Sequence, residues 1–200
     1  MSRVLRVLLT TAILASLTAG CSRDPNVRKQ EYLESGQRHF KEGKYREAAL
    51  QFQNALQADP RFAQAQYELG LCYLKLELWN SAYNALLRAV ELDPSNRPAQ
   101  IELGKLFVKG REYNRAREKA ELLLKQNPQD VEARVILAQA LAGLRDTEGA
   151  VKEMQEAIRI APNRAQTYLE LARVQSAAQN TKPAEESFTK VVELDPQSVE

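Results

Sequence analysis

The sequence predicts an all-α chain, built as a solenoid of five tandem helix–turn–helix units of equal length, about 34 residues each. Three observations carry that expectation. Pro60, Pro94, Pro128, Pro162 and Pro196 recur at one constant interval, and Ala48, Ala82, Ala116, Ala150 and Ala184 recur at the same one. A shared period of this length is the mark of a repeat architecture, in which stacking buries faces that no single unit can cover. Within a unit, the apolar residues Phe52, Ala55 and Leu56 are spaced by three and four, the period of one helix face.

The elements follow in order along the chain. Arg3 and Arg6 open a segment whose stretch from Val7 to Ala19 is uncharged and mostly apolar. That is the length of a signal-peptide core, and short of the roughly 20 apolar residues needed to span a bilayer. Residues 1–20 are therefore expected to be a signal peptide and 21–28 a linker. The units are expected at 29–62, 63–96, 97–130, 131–164 and 165–198, with 199–200 opening a sixth. On that count the array continues past residue 200, and Leu171, Phe188 and Val192 lie on an edge with no next neighbour. Proline ends the second helix of each unit, because it cannot continue one. Pro98 and Pro183 sit in first turns, where a missing N–H costs little.

Composition narrows the function. Charged residues are 27% of the chain and hydrophobic residues 44%, a globular balance. Removing Arg3 and Arg6 lowers Lys+Arg from 28 to 26, equal to the 26 Asp+Glu, so no basic excess argues for nucleic acid. One histidine and two cysteines leave little for a metal site or a histidine relay. No phosphate-binding glycine loop, zinc-protease helix or nucleophile elbow is present. His39 stands where other units hold Tyr73, Phe107, Leu141 and Gln175, and reads as a packing residue. Cys72 falls on the packed side of its helix as a small hydrophobe. Trp79, Tyr45 and Tyr113 share unit position 17 and read as packing residues. Glu153 is placed on a solvated face. Neither a catalytic residue nor a cofactor or metal ligand is assigned.

Two resemblances add to this reading. Leu17-Thr18-Ala19-Gly20-Cys21 resembles a bacterial lipobox, with Thr18 where the commonest form has Leu. It implies that Cys21 carries a lipid and becomes the mature N-terminus. Ser22, rather than Asp, after the cysteine then implies the outer membrane, facing the periplasm. A plain secretory signal is the alternative. Residues 29–198 resemble the tetratricopeptide repeat. Position 8 holds Gly36, Gly70, Gly104, Ala138 and Ala172, and position 24 holds Phe52, Leu86, Ala120, Met154 and Phe188. The resemblance implies a right-handed solenoid whose first helices line a concave groove with positions 2, 5, 6, 9, 12 and 13.

On that face the apolar residues concentrate in the first three units. The expected partner-binding residues are Leu33, Phe40, Tyr67, Leu71, Leu74, Ile101, Lys105 and Val108, centred on Tyr67, Leu71, Leu74 and Ile101. Units four and five carry smaller or more polar equivalents in Ala142, Ser176, Gln139 and Arg173. The carboxylate clamp of chaperone-binding members is absent, since its positions hold Leu33, Gln37, Tyr67, Leu71, Glu102 and Ile136. The resemblance implies a non-catalytic, membrane-tethered scaffold. Its groove takes a protein or peptide, with no small-molecule substrate, in cell-envelope assembly: pilus or secretin, outer-membrane, or exopolysaccharide export machinery. The alternative is the docking arm of a longer enzyme whose catalytic domain follows residue 200.

Overall fold

The computed structural model describes residues 24–199; the expected signal peptide and Cys21 lie outside them. Ten α-helices run through the described residues, which contain no β-strand. They are α1 (Pro25–Lys41), α2 (Tyr45–Ala58), α3 (Ala63–Lys75), α4 (Trp79–Leu92) and α5 (Arg97–Lys109). Then come α6 (Tyr113–Gln126), α7 (Val131–Gly143), α8 (Thr147–Ile160), α9 (Ala165–Ala177) and α10 (Thr181–Leu194). The architecture is an all-α solenoid, each repeat supplying a first and a second helix.

The chain forms two compact units, one ending at Leu78 and one beginning at Trp79. In the first, α2 packs against α1 and α3, and α1 also touches α3. In the second, each helix from α4 to α10 packs on the next. There α5 touches α7 and α7 touches α9, so the first helices of repeats three, four and five lie side by side.

The period written in prolines and alanines has a backbone counterpart. Gly43, Glu77, Arg111, Arg145 and Gln179 recur at the same interval, and all have positive φ, from 57° at Glu77 to 74° at Gly43. Each ends the turn after a first helix. The N–H of the residue that follows reaches back to the helix, as Lys44 does to the His39 carbonyl at 2.9 Å and Glu112 to that of Phe107 at 2.8 Å. This closure satisfies carbonyls that the helix end would otherwise leave open. Only the first turn uses glycine, which enters the left-handed region without steric cost.

The acidic or amide residue before most of the periodic prolines has an equally local cause. Asp59, Asp93 and Asn127 accept from the backbone N–H two residues on, at 2.9, 3.0 and 3.1 Å. These side chains hold the turn into the next repeat. Repeat four has Ala161 there, and its turn hydrogen bond from the Arg164 N–H is the longer one, 3.4 Å.

The second helices bury the same three positions in repeats one to four, whereas in repeat five Phe188 at the middle one is exposed. Ala48, Phe52 and Ala55 recur as Ala82, Leu86 and Ala89, as Ala116, Ala120 and Leu123, and as Ala150, Met154 and Ala157. In the first repeat a Cβ on Gly36 would lie 2.5 Å from the Phe52 ring, so the two helices close on each other only because position 36 has none. Gln175, where the other repeats hold His39, Tyr73, Phe107 and Leu141, is buried with its side-chain oxygen accepting from the Ser187 hydroxyl at 2.8 Å.

Four expectations change. The linker over 21–28 is helical from Pro25 onward, because Asp24 caps the Asn26 N–H at 2.8 Å and Pro25 suits a first turn. Glu153 is not on a solvated face: it pairs with Nη1 of Arg134, and both side chains are mostly covered. Trp79 is 38% exposed, whereas Tyr45 packs edge-on to Phe40 and the Tyr113 ring lies over Gly143. Leu171 is buried with Ala138, Ala150, Met154 and Val174, leaving Phe188 and Val192 as the exposed pair.

Candidate protein-binding site

In the second compact unit, helical geometry turns positions 2, 5, 6 and 9 of α5, α7 and α9 towards one shared face. That face carries a cavity of about 260 Å³. Val135 and Ile136 give it an apolar floor, and Lys105, Gln139, Arg164 and Glu170 are among its polar walls. The walls are held by ion pairs within and between repeats. Arg97 makes a two-pronged contact to Asp130, both bonds 2.6 Å, and reaches Glu132 at 3.1 Å. Arg164, at the end of the same repeat as Glu132, reaches the other oxygen of Glu132 at 2.9 Å. Gln166 and Arg173 both donate to Glu170, at 2.8 and 3.0 Å.

Asp130 anchors this arrangement. It is almost wholly buried, and its carboxylate also caps α7 by accepting from the Ala133 N–H at 3.0 Å. Burial pushes its carboxyl upward, but the Arg97 guanidinium and the backbone N–H groups outweigh it and hold it below the ordinary carboxylate range. Glu132 is lowered by the same balance: burial raises it, while its backbone N–H, Arg164 and Arg97 bring it down. Both are therefore charged at neutral pH. A cavity with an apolar floor and charged walls of both signs suits a peptide backbone and side chains better than a single ion.

The first compact unit has its own part of the face. Gln37, Phe40, Lys41 and Glu68 line a cavity of about 220 Å³ between α1 and α3. Glu68 accepts from Gln37 at 3.0 Å and from Gln64 at 2.9 Å.

The eight expected partner-binding residues divide accordingly. Phe40 lines the cavity of the first unit and Lys105 that of the second. Leu33 and Ile101 are buried, at 8% and 4% exposure, so they serve packing rather than contact. Tyr67, Leu71, Leu74 and Val108 are half-buried. The expected centre of Tyr67, Leu71, Leu74 and Ile101 falls in two different compact units. Sequence reasoning passed over repeats four and five, yet Glu132, Val135, Ile136, Gln139, Arg164, Gln166 and Glu170 line the larger of these two cavities. The available signal was Ile136, an apolar residue at position 6, where repeats one, two, three and five carry Glu34, Glu68, Glu102 and Glu170.

The residues singled out for chemistry are quiet. Cys72 is fully buried, and burial first, then the Glu68 charge, pushes its thiol up to about 12. His39 is half-buried with its Nδ1 lacking a hydrogen-bond partner. Among the described residues, no group of three or more His, Cys, Asp or Glu could hold a metal ion, and no helix is long and apolar enough to cross a membrane.

The chain belongs to the tetratricopeptide repeat family. One sequence profile of that repeat matches residues 33–97 and 101–165, and a second matches 165–198. No curated protein sequence matches the chain. Among solved structures, the fold is similar to that of MamA 41-end from Desulfovibrio magneticus RS-1, at 23% identity and a TM-score of 0.74. That match covers 84% of this chain and 96% of the other. It is also similar to YrrB, described as a TPR protein with an unusual peptide-binding site, at 20% identity and a TM-score of 0.65. Here 83% of this chain and 86% of YrrB are covered.

Proposed function

We propose that this protein is a non-catalytic scaffold that holds an extended segment of a partner protein on the inner face of its first helices. The observation that carries this reading is the cavity between α5, α7 and α9, whose apolar floor of Val135 and Ile136 is walled by Lys105, Gln139, Arg164 and Glu170. Gln139 offers both a donor and an acceptor to a peptide backbone. Lys105 and Arg164 can meet acidic side chains, and Glu170 a basic one. The peptide-binding site reported for YrrB, a protein of similar fold, supports the assignment.

In the same proposal the scaffold is tethered by a lipid on Cys21 to the bacterial outer membrane, facing the periplasm, and serves an envelope-assembly machine. The support is the charged, apolar and small-residue succession that ends at Cys21. Two experiments test the two halves. Mass spectrometry of the mature N-terminus should find Cys21 as a lipidated first residue; an unmodified Cys21 or a different cleavage point overturns the tether. A photo-cross-linking side chain at Gln139, in living cells, should capture a discrete partner band that the same group at exposed Gln155 does not. Equal capture from both positions, or none from Gln139, overturns the inner-face assignment.

A further inference from the structure

The helix pair of repeat three is packed differently from that of repeat one. Position 24 carries Ala120, where the other repeats have Phe52, Leu86, Met154 and Phe188, and position 8 carries Gly104. In repeat one the space at Gly36 is filled by the ring of Phe52, from the partner helix. At Gly104 the nearest atom is the Ile136 Cδ1 of the next repeat, 3.1 Å from a notional Cβ. From the partner helix α6, only the Lys119 stem comes near that point, its Cγ 3.7 Å away. Two adjoining cavities lie beside these helices, of about 480 and 310 Å³, sharing Phe107 and Arg115. They form a trough along α4, α5 and α6, separate from the inner-face cavity.

The lining of the trough is aromatic and charged, with Lys109, Arg115 and Lys119 beside the carboxylates Glu112 and Glu118. Tyr83 and Phe107 are tilted rings with centroids 6.2 Å apart, and Trp79 stands at the rim. Each ring already carries a cation of this chain. Lys109 Nζ lies 4.1 Å above Trp79, and the Arg115 guanidinium lies 4.1 Å above Phe107 and 5.7 Å from Tyr83. Arg115 also donates to the Tyr83 hydroxyl at 3.0 Å and to Glu112. Stacking and hydrogen bonding thus fix the guanidinium plane before any ligand arrives. Lys109 and Lys119 have no carboxylate partner among the described residues.

We propose that this trough is a second docking site, for an acidic segment of a partner protein that carries an aromatic side chain. A cationic ligand would find the ring faces already covered by Lys109 and Arg115. Three cations, Lys109, Arg115 and Lys119, line the trough against two carboxylates, Glu112 and Glu118, and Glu112 is paired with Arg115, so an anion meets a lining of net positive charge. A stacked guanidinium suits a carboxylate because its planar fork is held in place. The trough is many times the volume of a free ion, and its apolar part, between Trp79, Leu106 and Phe107, fits one ring. The proposal stands independently of the inner-face site.

Trp79 is the only tryptophan of the chain, so it reports directly on its own site. The full chain is titrated, following tryptophan emission, with an eight-residue peptide of Glu and Asp around a single Phe. A saturable change is expected, weakening as salt is raised. Replacing the Phe of the peptide by Ser should cost about tenfold in affinity, as should Lys109→Gln or Arg115→Gln in protein whose thermal melt matches wild type. Lys105→Gln, on the inner face, should bind the peptide as wild type does. Four results overturn the proposal. They are no saturable change, unchanged affinity in both trough variants, equal binding of a Lys-for-acid peptide, or inorganic phosphate reproducing the peptide's effect.

Discussion

An alanine at position 36 would place its Cβ 2.5 Å from the ring of Phe52, which is fully buried and has nowhere to retreat. Gly36→Ala is therefore expected to destabilise the protein by about 1–3 kcal/mol, the usual range for overpacking, measured by denaturant melts. Ala82 and Ala116 are also fully buried, and enlarging either to Leu should cost a similar amount. Glu153 calls for a different expectation than a solvated carboxylate would. Its partner Arg134 is largely covered: Nη1 donates to Glu153, Nη2 donates to the Pro128 carbonyl at 2.9 Å, and Nε has no acceptor. Glu153→Gln weakens a charge-assisted bond to a buried cation and should cost about 1–3 kcal/mol, where a surface exchange would stay within about ±0.5 kcal/mol. Cys72 tests burial through chemistry. A thiol raised to about 12 is protonated at pH 8 and shielded by the fold. In a Cys21→Ser chain it should resist a thiol reagent at pH 8 until denaturant is added. Prompt labelling of the native protein would show that the helix face carrying Cys72 is open.

At the scale of the element, the five turns within repeats share one left-handed residue each, and four of the five are not glycine. A side chain in that region costs about 1–2 kcal/mol, partly offset because glycine gives the unfolded chain more freedom. Gly43→Ala should then destabilise by about 1 kcal/mol, while Gln179→Gly should be neutral or stabilising by up to about 1 kcal/mol. Thermal melts of the two variants check the pair. Opposite signs at equivalent positions would not arise from side-chain contacts, since nothing lies within 4 Å of a Cβ built on Gly43. These turns were not legible in advance, because Glu77, Arg111, Arg145 and Gln179 share no side-chain chemistry. What they share is a backbone angle, and only coordinates display it. The turns between repeats were legible, because the Asp or Asn before Pro makes its own hydrogen bond within two residues.

Across the molecule, the linked carboxylates set the response to acid. Asp59, Asp130 and Glu132 all have lowered carboxyls. Hydrogen bonding from Lys29 leads at Asp59, whereas at the other two burial is the largest single influence and is outweighed by the hydrogen bonds and charges together. A carboxyl lowered by folding adds stability that is fully present above its unfolded value, near 4, and is lost as pH falls through the folded value. The melting temperature should thus be level between pH 5 and 7 and fall steadily below about pH 4. Asp130→Asn should flatten that fall while lowering stability at pH 7, because it removes the Arg97 pair and weakens the cap of α7. A steeper acid fall in that variant would contradict the assignment.

By itself the sequence determined the repeat, its length, its helical nature and which helix faces are buried, because these depend on spacings within one turn or one period. Position 24 is buried in repeats one to four because the same local register recurs once in every period. It also placed Phe40 and Lys105 on the inner face. The tertiary structure decided which inner-face side chains remain available. Leu33 and Ile101 read like Tyr67 in register, yet they are buried while Tyr67 is half-buried. It also decided that a walled cavity lies across repeats three to five, of which four and five read as smaller or more polar, since Arg97 of repeat three meets Glu132 of repeat four, which also takes Arg164 from the end of its own repeat. The reason is physical. Burial and charge pairing depend on the distance between repeats and on the size of each neighbour, and a periodic pattern specifies direction without specifying distance.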